Sequence, residues 1–169
     1  MRGGPASAMR TVARILLAVA AMLPAGAAAA QASFNLGVSA FIADGCTISA
    51  TSVDFGAYAA TTSQPTVDGL GQITVRCPAG NAYDVRLNDG QNAAGSQRRM
   101  APASGAARLN YELYKDAGRS LRWGNSNAER LSGTGNGTAQ MLSVFARLPG
   151  AQVVPFGAYA DTITATIQY

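Results

Sequence analysis

Histidine is absent from all 169 residues. That removes the usual general base, the imidazole metal ligand, and the Ser-His-Asp and Cys-His arrangements together. The residues left with chemical reach are few. Asp84 and Asp89 form a carboxylate pair of the kind used in glycosidic acid–base chemistry. Asp84, however, falls on the polar face of an alternating run and Asp89 in an Asn-Asp-Gly turn, so solvated structural roles are expected for both. Gly133-Thr134-Gly135-Asn136-Gly137 has the composition of a phosphate cradle. Such loops need a helix behind them and, in the P-loop case, a lysine; here the next segment reads as a strand, and a flexible turn is expected. Asn136-Gly137-Thr138 matches a glycosylation acceptor by pattern only. Trp123, Tyr111 and Tyr114 could line a sugar-binding face, but one aromatic per strand in a small β domain is core packing first. Arg98-Arg99 reads as a solvated turn, and Asp161, opening the last strand, as a hydrogen-bond partner for a nearby turn. The expectation is a non-enzymatic chain with no cofactor, no metal and no small-molecule substrate.

The N-terminus carries a different signal. Arg2, Arg10 and Arg14 precede the apolar run Ile15–Leu23, and small residues lead to Ala30-Gln31-Ala32. This is the pattern of a secretory signal peptide over residues 1–32, with cleavage after Ala32 or Ala30 and translation starting at Met1 or Met9. The uncharged stretch from Ile15 to Ala30 is 16 residues long and contains Pro24. A spanning helix needs roughly 20. Removing the three signal arginines from 13 basic residues leaves 10, against 9 acidic ones, so the expected mature chain is close to neutral. No basic patch points to nucleic acid. An exported chain with two cysteines most simply pairs them, so Cys46 and Cys77 are expected to form a disulfide.

The mature part is organised as short alternating runs between turn signals, without sustained helical periodicity. Residues 73–77, 83–87, 109–114 and 142–148 alternate, and 161–169 is expected to form one final strand. Pro78–Asn81, Asn88–Gly90 and Asp116–Gly118 read as turns, and residues 91–107 as a long polar loop. One all-β sandwich over residues 42–169 accounts for this spacing. Residues 33–41 alternate too, with Phe34, Leu36, Val38 and Ala40 on one face. On alternation alone this segment is equally its own domain's first strand or a strand donated to another copy.

The order of motifs bears on that choice. Cys46-Thr47-Ile48, Val53-Asp54-Phe55-Gly56-x-Tyr58, Ile73-Thr74-Val75-x-Cys77 and Leu109-Asn110-Tyr111-x-Leu113-Tyr114 follow one another. Trp123-Gly124 and the segment from Gly157 through Asp161-Thr162-Ile163 to Tyr169 complete the series. Together they resemble the spore coat protein U domain family, which includes archaic, Csu-type chaperone–usher pilus subunits. The resemblance implies an incomplete immunoglobulin-like β-sandwich lacking its final strand and completed by donor-strand exchange. It also implies a disulfide tying the first strands, and a donor segment at 33–41 carrying Phe34, Leu36, Val38 and Ala40. The implied partners are copies of the chain or related pilins, a periplasmic chaperone and an outer-membrane usher, with function in a surface pilus for adhesion and biofilm formation. A self-complemented secreted coat or matrix protein, and a secreted carbohydrate-binding module, are the alternatives.

Overall fold

A computed structural model describes residues 45–169; the signal segment 1–32 and the segment 33–41, with Phe34, Leu36, Val38 and Ala40, lie outside the described residues. The described chain forms β1 (Thr47–Ala50), β2 (Val67–Arg76), β3 (Ala82–Leu87), β4 (Arg98–Pro102), β5 (Leu109–Tyr114), β6 (Leu131–Thr134), β7 (Ala139–Leu148), β8 (Tyr159–Ala160) and β9 (Ala165–Gln168). A six-stranded sheet runs β1-β2-β7-β5-β4-β8, and a three-stranded sheet runs β6-β3-β9. Every recorded strand pairing is antiparallel.

Alternation builds these sheets. In β2, Ile73 and Val75 are buried while Asp68 and Arg76 are exposed. In β3, Tyr83, Val85 and Leu87 face inward, and in β5 Leu109, Tyr111 and Leu113 do the same. A one-residue slip would turn these side chains to solvent, so burial fixes the register. The long β2–β7 ladder pairs Val67 with Leu148 at one end and Arg76 with Ala139 at the other. Trp123, fully buried, sits between the layers, where its indole N–H donates to the Val85 carbonyl at 2.9 Å. Its backbone N–H bonds the Leu113 carbonyl, so one residue links β3 to β5. Trp123 and Tyr111 are core residues, and Tyr114 is half-buried on the outer side of β5.

Four sequence expectations need correction. The 91–107 stretch contains β4, which pairs with β5 through Arg98↔Tyr111, Arg99↔Asn110 and Met100↔Leu109. Arg98 is not a solvated turn residue: it is completely buried. Its guanidinium pairs with Glu112 and donates to the carbonyls of Asn88 and Leu87. A charge enters the interior because each of the three guanidinium nitrogens finds an oxygen. Arg99 bonds the carbonyls of Asn92 and Ala93. The expected final strand 161–169 is shortened to β9 at Ala165–Gln168, which pairs with β3 in the small sheet, while β8, just before the expected strand, pairs with β4 in the large one. Residues 161–164 cross between the layers. Finally, the glycine-rich segment is only partly a turn, because Gly133 and Thr134 lie in β6.

Candidate functional site

Near the N-terminal end of the described residues the chain runs from β1 along the large sheet, near the C-terminal end it passes from the large sheet to the small one, and a groove lies between these segments. β1 pairs with the end of β2 through Thr47↔Arg76 and Ala50↔Ile73. The chain then crosses the inner face of β2. Gly69 and Gly71 permit this: a Cβ at Gly71 would come within 2.7 Å of a Val53 methyl, and one at Gly69 within 2.9 Å of the other. Phe55 follows and meets Tyr111 edge to face, with ring centroids 6.2 Å apart. On the opposite side, β8 and residues 161–165 form the second wall. Among the described residues β1 pairs with β2 alone and β9 with β3 alone.

The groove comprises two adjoining cavities of about 490 and 460 Å³ that share Val53, Met100 and Tyr159. Ile73, Leu87, Leu113 and Val144 line the first, and Leu109, Leu148, Phe55 and Val154 line the second. This lining is predominantly aliphatic and aromatic. It can hold a row of apolar side chains while backbone groups along its walls pair with a strand.

Asp161 pins the crossing wall. Its Oδ2 accepts from the Tyr111 hydroxyl at 2.8 Å. Its Oδ1 accepts from the backbone N–H groups of Gln91 and Asn92 and from the Asn92 amide. Burial, reinforced by Asp161, pushes the Tyr111 phenol far up, so it remains a donor. Asn88 adds two bonds to Thr164, one through its side chain and one through its backbone. The expected turn-binding role of Asp161 is therefore what its geometry gives.

A second polar cluster supports the same region. Glu112 bridges Arg98 and Arg122, and Arg122 also reaches Asp89 and Glu129. Burial opposes the charge on Arg122, but its carboxylate partners outweigh it and push its pKa up. Asp84, by contrast, bonds the Ser132 hydroxyl and pairs with Arg130. Asp84 and Asp89 thus serve separate structural contacts. The glycine-rich segment does not present amides to an anion, because Gly135 and Gly137 donate to the carbonyls of Asn81 and Cys77.

Cys46 and Cys77 are joined as a disulfide, with Cα atoms 4.3 Å apart, at the start of β1, whose last residue Ala50 is the one that lines the groove. At the disulfide end Tyr169 approaches Gly45: a Cβ on Gly45 would stand 3.0 Å from the Tyr169 hydroxyl. Sequence reasoning did not find Val53, Met100, Val154 and Tyr159 as groove residues. The Gly69-Leu70-Gly71 alternation inside a strand was the available sign, since inward glycines in a strand mark a close approach by another backbone.

Comparison with known proteins gives this geometry a context. The Spore Coat Protein U domain model matches residues 32–166. "Protein U" of Myxococcus xanthus is 33% identical over 178 residues, covering 96% of this chain and 99% of that protein. Among solved structures, the fold is similar to one in the CsuC–CsuE chaperone–tip adhesion subunit pre-assembly complex of the archaic chaperone–usher Csu pili of Acinetobacter baumannii. That match has a TM-score of 0.53 and 28% identity, covering 74% of this chain and 40% of the other, so this chain spans two fifths of that length. The P pilus rod subunit PapA has a similar fold, with a TM-score of 0.50 and 17% identity over 73% of this chain and 98% of that one. The architecture is thus an immunoglobulin-like β-sandwich shared with pilus subunits. The chain belongs to the Spore Coat Protein U domain family.

Proposed function

We propose that this chain is an exported structural subunit of a chaperone–usher surface pilus that polymerises by strand exchange. The observation that carries the reading is the apolar groove between residues 50–55 and residues 159–165, next to strands β1 and β9 that each pair on one side among the described residues. In this reading residues 33–41 of one copy fill the groove of the next, with Phe34, Leu36, Val38 and Ala40 directed to its floor. Four such side chains supply on the order of 6–12 kcal/mol before ordering costs. A head-to-tail contact of this kind does not close on itself and builds a fibre. A periplasmic chaperone would occupy the groove before assembly, and an outer-membrane usher would exchange it for the donor segment. Residues 1–32 would direct export, and the assembled fibre would serve adhesion and biofilm formation.

The test is occupancy of the groove. A chain lacking residues 33–41 should be raised in melting temperature by a synthetic peptide of that sequence. A peptide carrying Leu36→Asp and Val38→Asp should have no effect. Equal stabilisation by both peptides, or by neither, would contradict the reading.

The match to the Spore Coat Protein U domain model favours a second reading, a self-complemented secreted coat or matrix protein. Such a protein would fold as a stable monomer without any chaperone. A sugar-binding module is not supported, because Trp123 and Tyr111 are buried in the core.

A further inference from the structure

The two ends of the sandwich differ in a way that assigns a docking surface. One end holds Gly45, the Cys46–Cys77 disulfide and the turns at Pro78–Asn81 and Asn136–Thr138. The other, about 33 Å away along the ten residues of β2, holds Tyr58, Gln64 and the segment 149–157. On that segment Phe156 is fully exposed and Val153 largely so. Phe156 stands at the rim of the groove's second cavity. We propose that the 151–157 loop, through Phe156 and Val153, is the seat for the disulfide end of a second copy of this chain. This inference rests on the strand-exchange reading and adds a surface to it.

Chain length makes the argument. Between Ala40 and Gly45 lie five residue steps, which span at most about 17 Å. A copy whose segment 33–41 lies in a neighbour's groove must therefore place its own disulfide end close to where Ala40 leaves that groove. Each copy in a polymer both donates and accepts. If the donor left at the acceptor's disulfide end, both contacts would crowd one end of the molecule. Tyr169 and Gly45 also approach each other there. The exit that remains is beside Phe156.

Charge and order agree with this. Residues 56–66 and 149–158 contain no charged side chain, and neither do 77–82 or 133–141. These segments are uncharged, as the centres of protein interfaces tend to be, and the charges beside them are opposite in sign: exposed Arg76 lines the disulfide end with Cys77 and Pro78, and exposed Asp54 lines the cavity that Phe156 borders. The loop is also held in place before any partner arrives. Gln152 bonds both the N–H and the carbonyl of Asn110, and the Tyr58 hydroxyl donates to Pro149 while accepting from the Gln152 N–H. Ala151 adopts φ 58° with its N–H on the Gln64 carbonyl, and the Tyr159 hydroxyl donates to Pro155. A surface already ordered loses less entropy on docking.

The experiment replaces Phe156 in the exported chain. Phe156→Ser should leave the unfolding midpoint of the 33–41-deleted chain unchanged, because the ring is exposed. In the full chain it should make polymers dissociate about tenfold faster in denaturant, the usual scale for truncating an interface aromatic. Phe156→Trp gives a second readout: acrylamide quenching of the indole at that position should fall several-fold on assembly, against a constant background from buried Trp123. Polymers that require residues 33–41 yet show neither effect would overturn the docking surface alone. Absence of polymers, or polymers indifferent to that deletion, would overturn the strand-exchange reading and this inference with it.

Discussion

The Tyr111 hydroxyl donates a 2.8 Å hydrogen bond to Oδ2 of Asp161, fifty positions later in the chain. The bond joins the middle of the large sheet to the crossing that carries the chain into the small one. Tyr111 is also a wall of the groove, so the contact that holds the crossing sits where a strand would lie.

Breaking this contact should loosen the wall. Tyr111→Phe removes one donor to a carboxylate and should cost about 1–2 kcal/mol in urea unfolding. Asp161→Ala removes the acceptor for the 91–92 backbone as well and should cost more, about 2–3 kcal/mol. Gly90→Ala should be damaging by the same geometry. Gly90 has φ 89°, and an added Cβ would lie 1.9 Å from Asp161 Oδ2. An unchanged midpoint for Asp161→Ala would show that the crossing is held elsewhere.

Arg98 and Arg99 are neighbours with opposite expected sensitivities. Arg98→Met leaves Glu112 short of a buried partner and the Asn88 carbonyl without its donor, at about 3–5 kcal/mol. Arg99→Ala loses two carbonyl contacts at a half-exposed site and should cost about 1 kcal/mol. Thermal or urea denaturation of the two variants separates them directly.

That pair also shows what the sequence could and could not reveal. Strands whose inward residues are apolar were legible by alternation, as in Tyr83-x-Val85-x-Leu87 and Leu109-x-Tyr111-x-Leu113. β4 was not, because its most deeply buried residue is Arg98, and burial of that charge depends on Glu112 and on carbonyls from distant positions. The last strand looked continuous because Ile163, Ala165 and Ile167 keep their alternation while the chain changes sheets. A groove was implied by the family resemblance, but the residues that line it were not legible, for a related reason. Its walls are set by where Val53 lands on Gly69 and Gly71, a contact between segments rather than a pattern within one.

The disulfide closes a separation of 31 residues. In the chain-entropy description its removal should cost about 3–4 kcal/mol. Cys46→Ser with Cys77→Ser, or the native chain with reductant, should lower the urea midpoint accordingly. Equal midpoints with and without reductant would show that the first strands hold together by packing alone.

Acid should destabilise the fold in a defined window. The Arg147 side-chain bond lowers Asp68, against a small burial effect. Burial works against ionisation of Glu129, but the Ser126 hydroxyl and Arg122 outweigh it, and the carboxyl lies below its ordinary 4.5. A folded value below the unfolded one means the stabilisation is full above the unfolded value. It is then lost as pH falls through the folded one. Urea midpoints should therefore hold steady down to about pH 5 and decline below it. Glu129→Gln should flatten part of that decline; a midpoint independent of pH between 5 and 2 would contradict the assignment.

The most direct measurement is the oligomeric state of the chain from residue 33 onward, with and without residues 33–41, by size exclusion with light scattering and by detergent gels without boiling. Strand exchange predicts heat- and detergent-resistant polymers from the full chain and none from the shortened one. Two monomers, the shortened one merely less stable, would contradict it and place the segment within its own sandwich.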